Sequence, residues 1–290
     1  MTAIEDIAAR IGPSVVGLQD GSRGGSGVLV APGIVATLAR NVHGDDLTLV
    51  TGDGATHDAT VLGVDPSVDL AVLRTGATAP FAAWSTAAEP PRLGVKVYAL
   101  ADPGGRGLRV TSGSVASAPR GVRGPAGRLI PDAVEHTAPL PRGAGGGPLV
   151  DRSGAIVGLN ALRRDGGLLL AWPATALRDR ATALAAGERT APRRLGVALV
   201  GARQTGRMRA AVGLDPVDGL LVRGVQEGSV ADRAGITRGD VVVGADGTPV
   251  ATLDDLHAAV DAAGAGALEL EVLRGSERVT LRVEGEEVHA

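Results

Sequence analysis

The run Pro141-Arg142-Gly143-Ala144-Gly145-Gly146-Gly147-Pro148-Leu149-Val150 has a backbone suited to chemistry and side chains that are not. Closely spaced glycines let a loop aim its main-chain N–H groups at one point. Gly143 and Gly145 could form such a nest for a carbonyl oxygen or an anion. The run contains no hydroxyl, thiol or imidazole, so it brings no nucleophile of its own. The five histidines, His43, His57, His136, His257 and His289, show no spacing that resembles a metal site and read as residues of loops, turns, a helix or the tail. Cysteine is absent, which excludes disulfides and thiol chemistry. No metal or other cofactor is expected.

The same run resembles the nucleophile loop of HtrA/Deg trypsin-like proteases, Gly-Asn-Ser-Gly-Gly-Pro-Leu, with Gly145 at the serine position. The segment Gly33-Ile34-Val35-Ala36-Thr37-Leu38-Ala39-Arg40-Asn41-Val42 is similar to the family's Gly-x-(Val/Ile)-(Val/Leu)-Thr-Asn-x-His-Val-Val, with Arg40 at the histidine position. Asp69-Leu70-Ala71-Val72-Leu73 resembles the segment of the triad aspartate, which Asp69 retains. Thr111-Ser112-Gly113-Ser114-Val115 and Leu170-Ala171-Trp172-Pro173 match two further family strands, and the resemblance runs over roughly residues 4 to 186. It implies a degenerate triad at Arg40, Asp69 and Gly145. Glycine has no Oγ to acylate, and a guanidinium does not accept a proton at any useful pH. The expectation is therefore a pseudoenzyme, with Arg40 ion-paired to Asp69 across the old cleft. His43 lies three residues past the histidine position, too far to replace it. Gly143 and Gly145 keep oxyanion-hole-like N–H groups; whether the barrel is a relic or still a peptide cleft stays open.

Helical spacing of Ile4, Ile7, Ala8 and Ile11 predicts a first helix, stopped by Pro13. Apolar runs of four to seven residues then alternate with Gly, Asp and Pro clusters, the rhythm of an all-β barrel or sandwich. The resemblance makes it a trypsin-like double β-barrel, closed by a helix over residues 174–186. A polar stretch at 187–194 reads as a linker.

From Leu195 the pattern is α+β and resembles a PDZ domain, carried by Gly228-Ser229-Val230-Ala231, Ala234-Gly235-Ile236 and Arg238-Gly239-Asp240-Val241-Val242. Thr252 and Asp255 form a capping box for a helix ending at Gly264. The expected domains are 1–186, a linker at 187–194, and a PDZ domain at 195–286. In that domain the N–H groups of Gly219, Leu220 and Leu221 are expected to face a peptide carboxylate. Leu221, Val222 and Arg223 are expected to offer a free strand edge, and Leu253, Leu256 and Val260 to line a side-chain pocket.

The expected function is an inactive HtrA-like pseudoprotease that binds peptides or proteins through its PDZ domain. The alternatives are an HtrA-like serine endopeptidase with an unconventional active site and a regulatory subunit of an active protease. Expected partners are C-terminal or extended peptides and an active paralogous protease. The formal net charge of −3 argues against nucleic acid, and no membrane-spanning run is present. The start of the sequence lacks a signal-peptide pattern, which points to the cytoplasm, or to the periplasm or exterior if it is the mature piece of an exported protein.

Overall fold

In the computed structural model, which describes residues 3–20, 23–44, 46–125, 127–163, 167–188, 195–264 and 266–284, the chain divides into units 1–191 and 192–290. The first opens with α1 (Ala3–Ile11), which buries Ile7 and Ile11. A 3-10 turn at Gly12–Ser14 follows, because Pro13 has no N–H with which to continue the helix. Six strands come next: β1 (Val15–Asp20), β2 (Arg23–Ala31), β3 (Ile34–Thr37), β4 (Asp46–Val50), β5 (Thr56–Asp65) and β6 (Leu70–Thr75). They close into an antiparallel barrel in the order β1-β2-β3-β6-β5-β4. One face of these strands (Val16, Leu18, Leu29, Val35, Leu73) fills the barrel. The other (Val15, Val28, Ala36, Leu70, Val72) joins a larger core with Tyr98, Leu100 and Trp172. Burial on both faces explains why Leu70–Leu73 reads as one continuous apolar run.

Seven more strands form the second sheet: β7 (Lys96–Ala101), β8 (Arg109–Ser114), β9 (Arg120–Arg123), β10 (Leu129–His136), β11 (Pro148–Val150), β12 (Ile156–Arg163) and β13 (Leu169–Pro173). Their order is β8-β7-β11-β12-β13-β10-β9, and a Val115–His136 bridge just past β8 draws that end toward β10. Then α2 (Ala174–Ala185) packs Leu177, Ala181 and Leu184 into the core, and Gly187 follows at φ 86°. Leu184 Cδ2 lies 2.7 Å from where a Cβ on Gly63 would be, so that glycine makes room for the helix. Most of the expected linker, residues 189–194, lies outside the described residues.

The second unit is built from β14 (Val197–Val200), α3 (Ala202–Ala211), β15 (Leu220–Val225), α4 (Val230–Arg233), β16 (Val241–Ala245), β17 (Thr248–Pro249), α5 (Leu253–Ala263), β18 (Leu268–Arg274) and β19 (Glu277–Val283). The sheet order is β14-β15-β16-β18-β19, with β17 paired to β16. Both bonds of the Thr252/Asp255 capping box form, and Gly264 ends α5 at φ 52°. Arg274 grips Asp240 through two hydrogen bonds of 2.9 Å. Nothing in the sequence reading anticipated α3. His57 and His136, read as turn residues, lie in β5 and β10.

Candidate functional site

After β3, a 3-10 turn at Ala39–Asn41 sets Arg40 beside Asp69 at the mouth of β6. Asp69 holds φ 55°, a left-handed conformation costly for a residue with a Cβ, while its carbonyl accepts from Ala39 N at 3.1 Å. Its carboxylate is buried. Arg40 Nη2 stands 3.1 Å from Asp69 Oδ2, so the expected ion pair is present. It is not the fork expected of an arginine: Nη2 is buried and lacks hydrogen-bond alignment with any acceptor among the described residues. The directional contacts to Asp69 come instead from Trp172 Nε1, which donates to Oδ2 at 3.0 Å, and from the Arg40 main-chain N–H, which donates to Oδ1 at 3.3 Å. Burial raises the Asp69 pKa, with Arg40 and then Trp172 acting against it. Burial also lowers that of Arg40, opposed by Asp69. Desolvation is the larger influence on both partners, so each charge only partly compensates the other.

The glycine loop lies on the other wall, pinned by its carbonyls. Gly145 O accepts from Ser26 N at 3.0 Å and from Asn41 Nδ2 at 2.8 Å, and Gly143 O accepts from Ser26 Oγ at 3.2 Å. Gly146 N donates to Asn160 O at 2.8 Å. Among the described residues no acceptor is recorded for the N–H of Gly143 or Gly145. Those two donors therefore remain available to a bound carbonyl. The glycines are not equivalent. Gly146 sits at φ 92° with its would-be Cβ 2.1 Å from Ser26 O, so no other residue fits there. At Gly145 φ is not positive, and a Cβ would meet nothing closer than Leu38 Cδ1 at 3.1 Å. The fold does not demand glycine at 145. Beside it opens a cavity of about 170 Å³.

His43 is exposed on a loop. His136 is fully buried, and neither ring nitrogen makes a hydrogen bond among the described residues. Burial pushes its pKa down to about 4, with neighbouring Asn160 opposing. The roles of Trp172 and Asn41 had no sequence signal beyond Asn41's place next to Arg40; each acts on a residue more than 100 positions away.

In the second unit, the strand edge expected at Leu221–Arg223 is not free. β15 is interior: Leu221 pairs with Val200 on one side and Val241 on the other, and Val222 pairs with Leu199 while its N–H donates to Asp240 O. At Gly219 a Cβ would lie 2.7 Å from Val242 O, which is a packing reason for glycine there. Leu220 is buried in the sheet. On α5, Leu256 and Val260 belong to the core and Leu253 is half-buried. The strands with an unpaired side are β14 and, at the other end of the sheet, β19; β14 is preceded by Gly196 at φ 78°. A Cβ on Gly196 would come 2.3 Å from Ser229 Cβ. The signal was available in Leu195-Gly196-Val197-Ala198-Leu199, a short apolar run with a glycine at its second position.

Residues 25–159 match the description of a trypsin-like peptidase domain, and residues 221–274 that of a PDZ domain. The chain is 35% identical over 278 residues to HhoA of Synechocystis sp., which carries a serine-protease name, covering 90% of this chain and 70% of that one. It is 29% identical over 270 residues to the periplasmic serine endoprotease DegP of Salmonella typhimurium, covering 90% of this chain and 56% of the relative. A solved structure titled as the HtrA-type protease AlgW with decapeptide superposes with a TM-score of 0.72 at 22% identity, covering 97% of each chain. That likeness shows the fold.

Two expectations change on these findings. The chain was expected not to be an enzyme, yet the relatives it matches over nine-tenths of its length are named serine proteases. The residues at 40 and 145 do not by themselves establish a loss of activity. The cytoplasmic expectation also lacks support, since DegP is named as periplasmic. No described helix is long and apolar enough to cross a membrane.

Proposed function

The chain belongs to the HtrA/Deg family of trypsin-like serine proteases that carry a PDZ domain, and from that premise we propose that it acts on extended peptides of other proteins, held at β14 and in the barrel cleft. The observation that carries this reading is the unpaired outer side of β14. Strand addition needs a row of main-chain groups without partners and an apolar pocket beside them. Val197–Val200 supplies the row, and of the expected pocket residues on α5 Leu253 is the one that remains half-buried. The turn before β14 is held by the Leu195 carbonyl, which accepts from Ala231 N at 3.0 Å, and by Gly196 O, which accepts from Gln226 N at 2.8 Å. Residues 219–223 back this strand from inside the sheet.

In the barrel, any cleavage proceeds without a side chain at 145 and without an imidazole at 40. This is the reading of an endopeptidase with an unconventional active site. Gly143 and Gly145 N–H groups polarise the carbonyl, a water adds to its carbon, and collapse of the adduct breaks the C–N bond, the water's protons passing to the released amine and leaving a carboxylate.

Peptides ending in an apolar residue with a free carboxylate should bind the full chain about tenfold tighter than their C-terminal amides, since the amide removes the charge from the recognised end. Equal affinities by fluorescence anisotropy would overturn peptide capture by this domain. Mass-spectrometric detection of new N-termini in unfolded casein tests the cleavage, and none above the buffer background would refute the endopeptidase part.

A further inference from the structure

We propose that the cavity beside Gly145 takes an acidic side chain, so that the cleft selects extended peptides carrying Asp or Glu. The inference rests on the reading that the cleft holds peptide. Both charged residues lining the cavity, Arg142 and Arg163, are cationic, and no acidic residue lines it. Arg142 is exposed and makes no hydrogen bond or ion pair among the described residues. Arg163 donates to the carbonyl of Leu140, another residue lining the cavity. The inner wall is apolar and buried, formed by Leu140, Ala144 and Leu169. Two cations with no acidic partner among the described residues, over an apolar wall, favour a ligand with a short aliphatic stem and an anionic end. A cavity of about 170 Å³ has room for one short side chain.

Asn160 holds the loop from the other side, its Nδ2 donating to Gly147 O at 2.9 Å and Pro148 O at 3.0 Å. Glutamine, the neutral isostere of glutamate, is the control that isolates the charge.

Amidated peptides, which lack the terminal carboxylate, are to be compared on the full chain with Glu, Gln, Lys or Leu at one central position. Glu should bind about fivefold tighter than Gln at low salt, and the gap should shrink in 0.5 M salt, with ~0.5 M chosen to bring the screening length below ~5 Å. Arg142→Glu should transfer the preference to Lys and Arg163→Gln should narrow it, whereas Arg278→Gln in the second unit should change nothing. Equal binding of Glu and Gln, or a Glu preference that survives Arg142→Glu, would overturn the proposal. Free-acid peptides run alongside keep the two readings apart. If they outbind their amides while Glu equals Gln, only the acidic pocket fails; if no peptide binds, peptide capture fails and the pocket with it.

Discussion

Replacing Arg40 by methionine keeps most of the aliphatic stem and removes the cation, leaving Asp69 with the Trp172 and main-chain N–H groups alone. Breaking a fully buried pair typically costs about 3–5 kcal/mol. Arg40 is 32% exposed, so solvent screens part of the interaction, and a loss of about 1–2 kcal/mol at neutral pH is expected. For a unit of this size that is a fall in Tm of roughly 2–8 °C. The pH dependence identifies the cause. In the folded wild type, Asp69 titrates above its ordinary 3.8 because of burial, and Arg40 is the chief influence holding it down. Without Arg40 it titrates higher still. Below 3.8 the carboxyl is protonated in both proteins, folded or unfolded, and contributes no difference. As pH rises through the folded pKa of the wild type and then of the variant, the variant retains a proton the wild type has released, and its deficit opens. Urea denaturation of Arg40→Met, Asp69→Asn and the double variant should give a coupling near 1 kcal/mol at pH 7 that vanishes toward pH 3.5, where Asp69 is mostly protonated. A deficit equal at both pH values, or zero coupling, would refute the view that the ion pair stabilises this cleft.

Gly145→Ser should fold with a loss under about 1 kcal/mol, because only a movable Leu38 methyl crowds the new Cβ, whereas Gly146→Ala should lose about 3 kcal/mol or more from its clash with Ser26 O; thermal melts compare them. With Arg40→His added, position 145 should become labelled by a fluorophosphonate, and no adduct there by mass spectrometry would show that the rest of the serine-protease geometry is not in place. His136 should make the barrel acid-sensitive. Between about 6.5 and 4 the unfolded chain takes a proton that the folded one refuses, so stability falls as pH drops through that window, by at most ~1.4 kcal/mol per unit. His136→Gln should flatten this slope, and an unchanged slope in denaturant titrations refutes the assignment. Thr252→Ala removes the cap of α5 and should cost about 1 kcal/mol, read as faster amide hydrogen exchange in the first turn of that helix.

What the sequence by itself determined is what short-range chemistry controls. The capping box at Thr252/Asp255, the stop at Pro13, the glycine ending α5 and the positions of Arg40, Asp69 and Gly145 all follow from residues a few places apart. The strand rhythm likewise announced an all-β fold, since alternation and turn residues are local signals. Which strand edge stays open was not a local property. Leu220–Val225 has the composition of a peptide-binding edge, but β14 and β16 occupy both its sides, and the edge on that side of the sheet belongs to a strand that starts more than twenty residues earlier. The partners of the cleft were hidden for the same reason. Trp172 reaches Asp69 across 103 residues of sequence and Asn41 reaches Gly145 across 104, contacts that exist only once the barrel and the second sheet have packed together. Tertiary structure decided these because strand order and long-range burial depend on how distant segments pair, and a sequence window carries the preference of a strand to be paired without saying on which side.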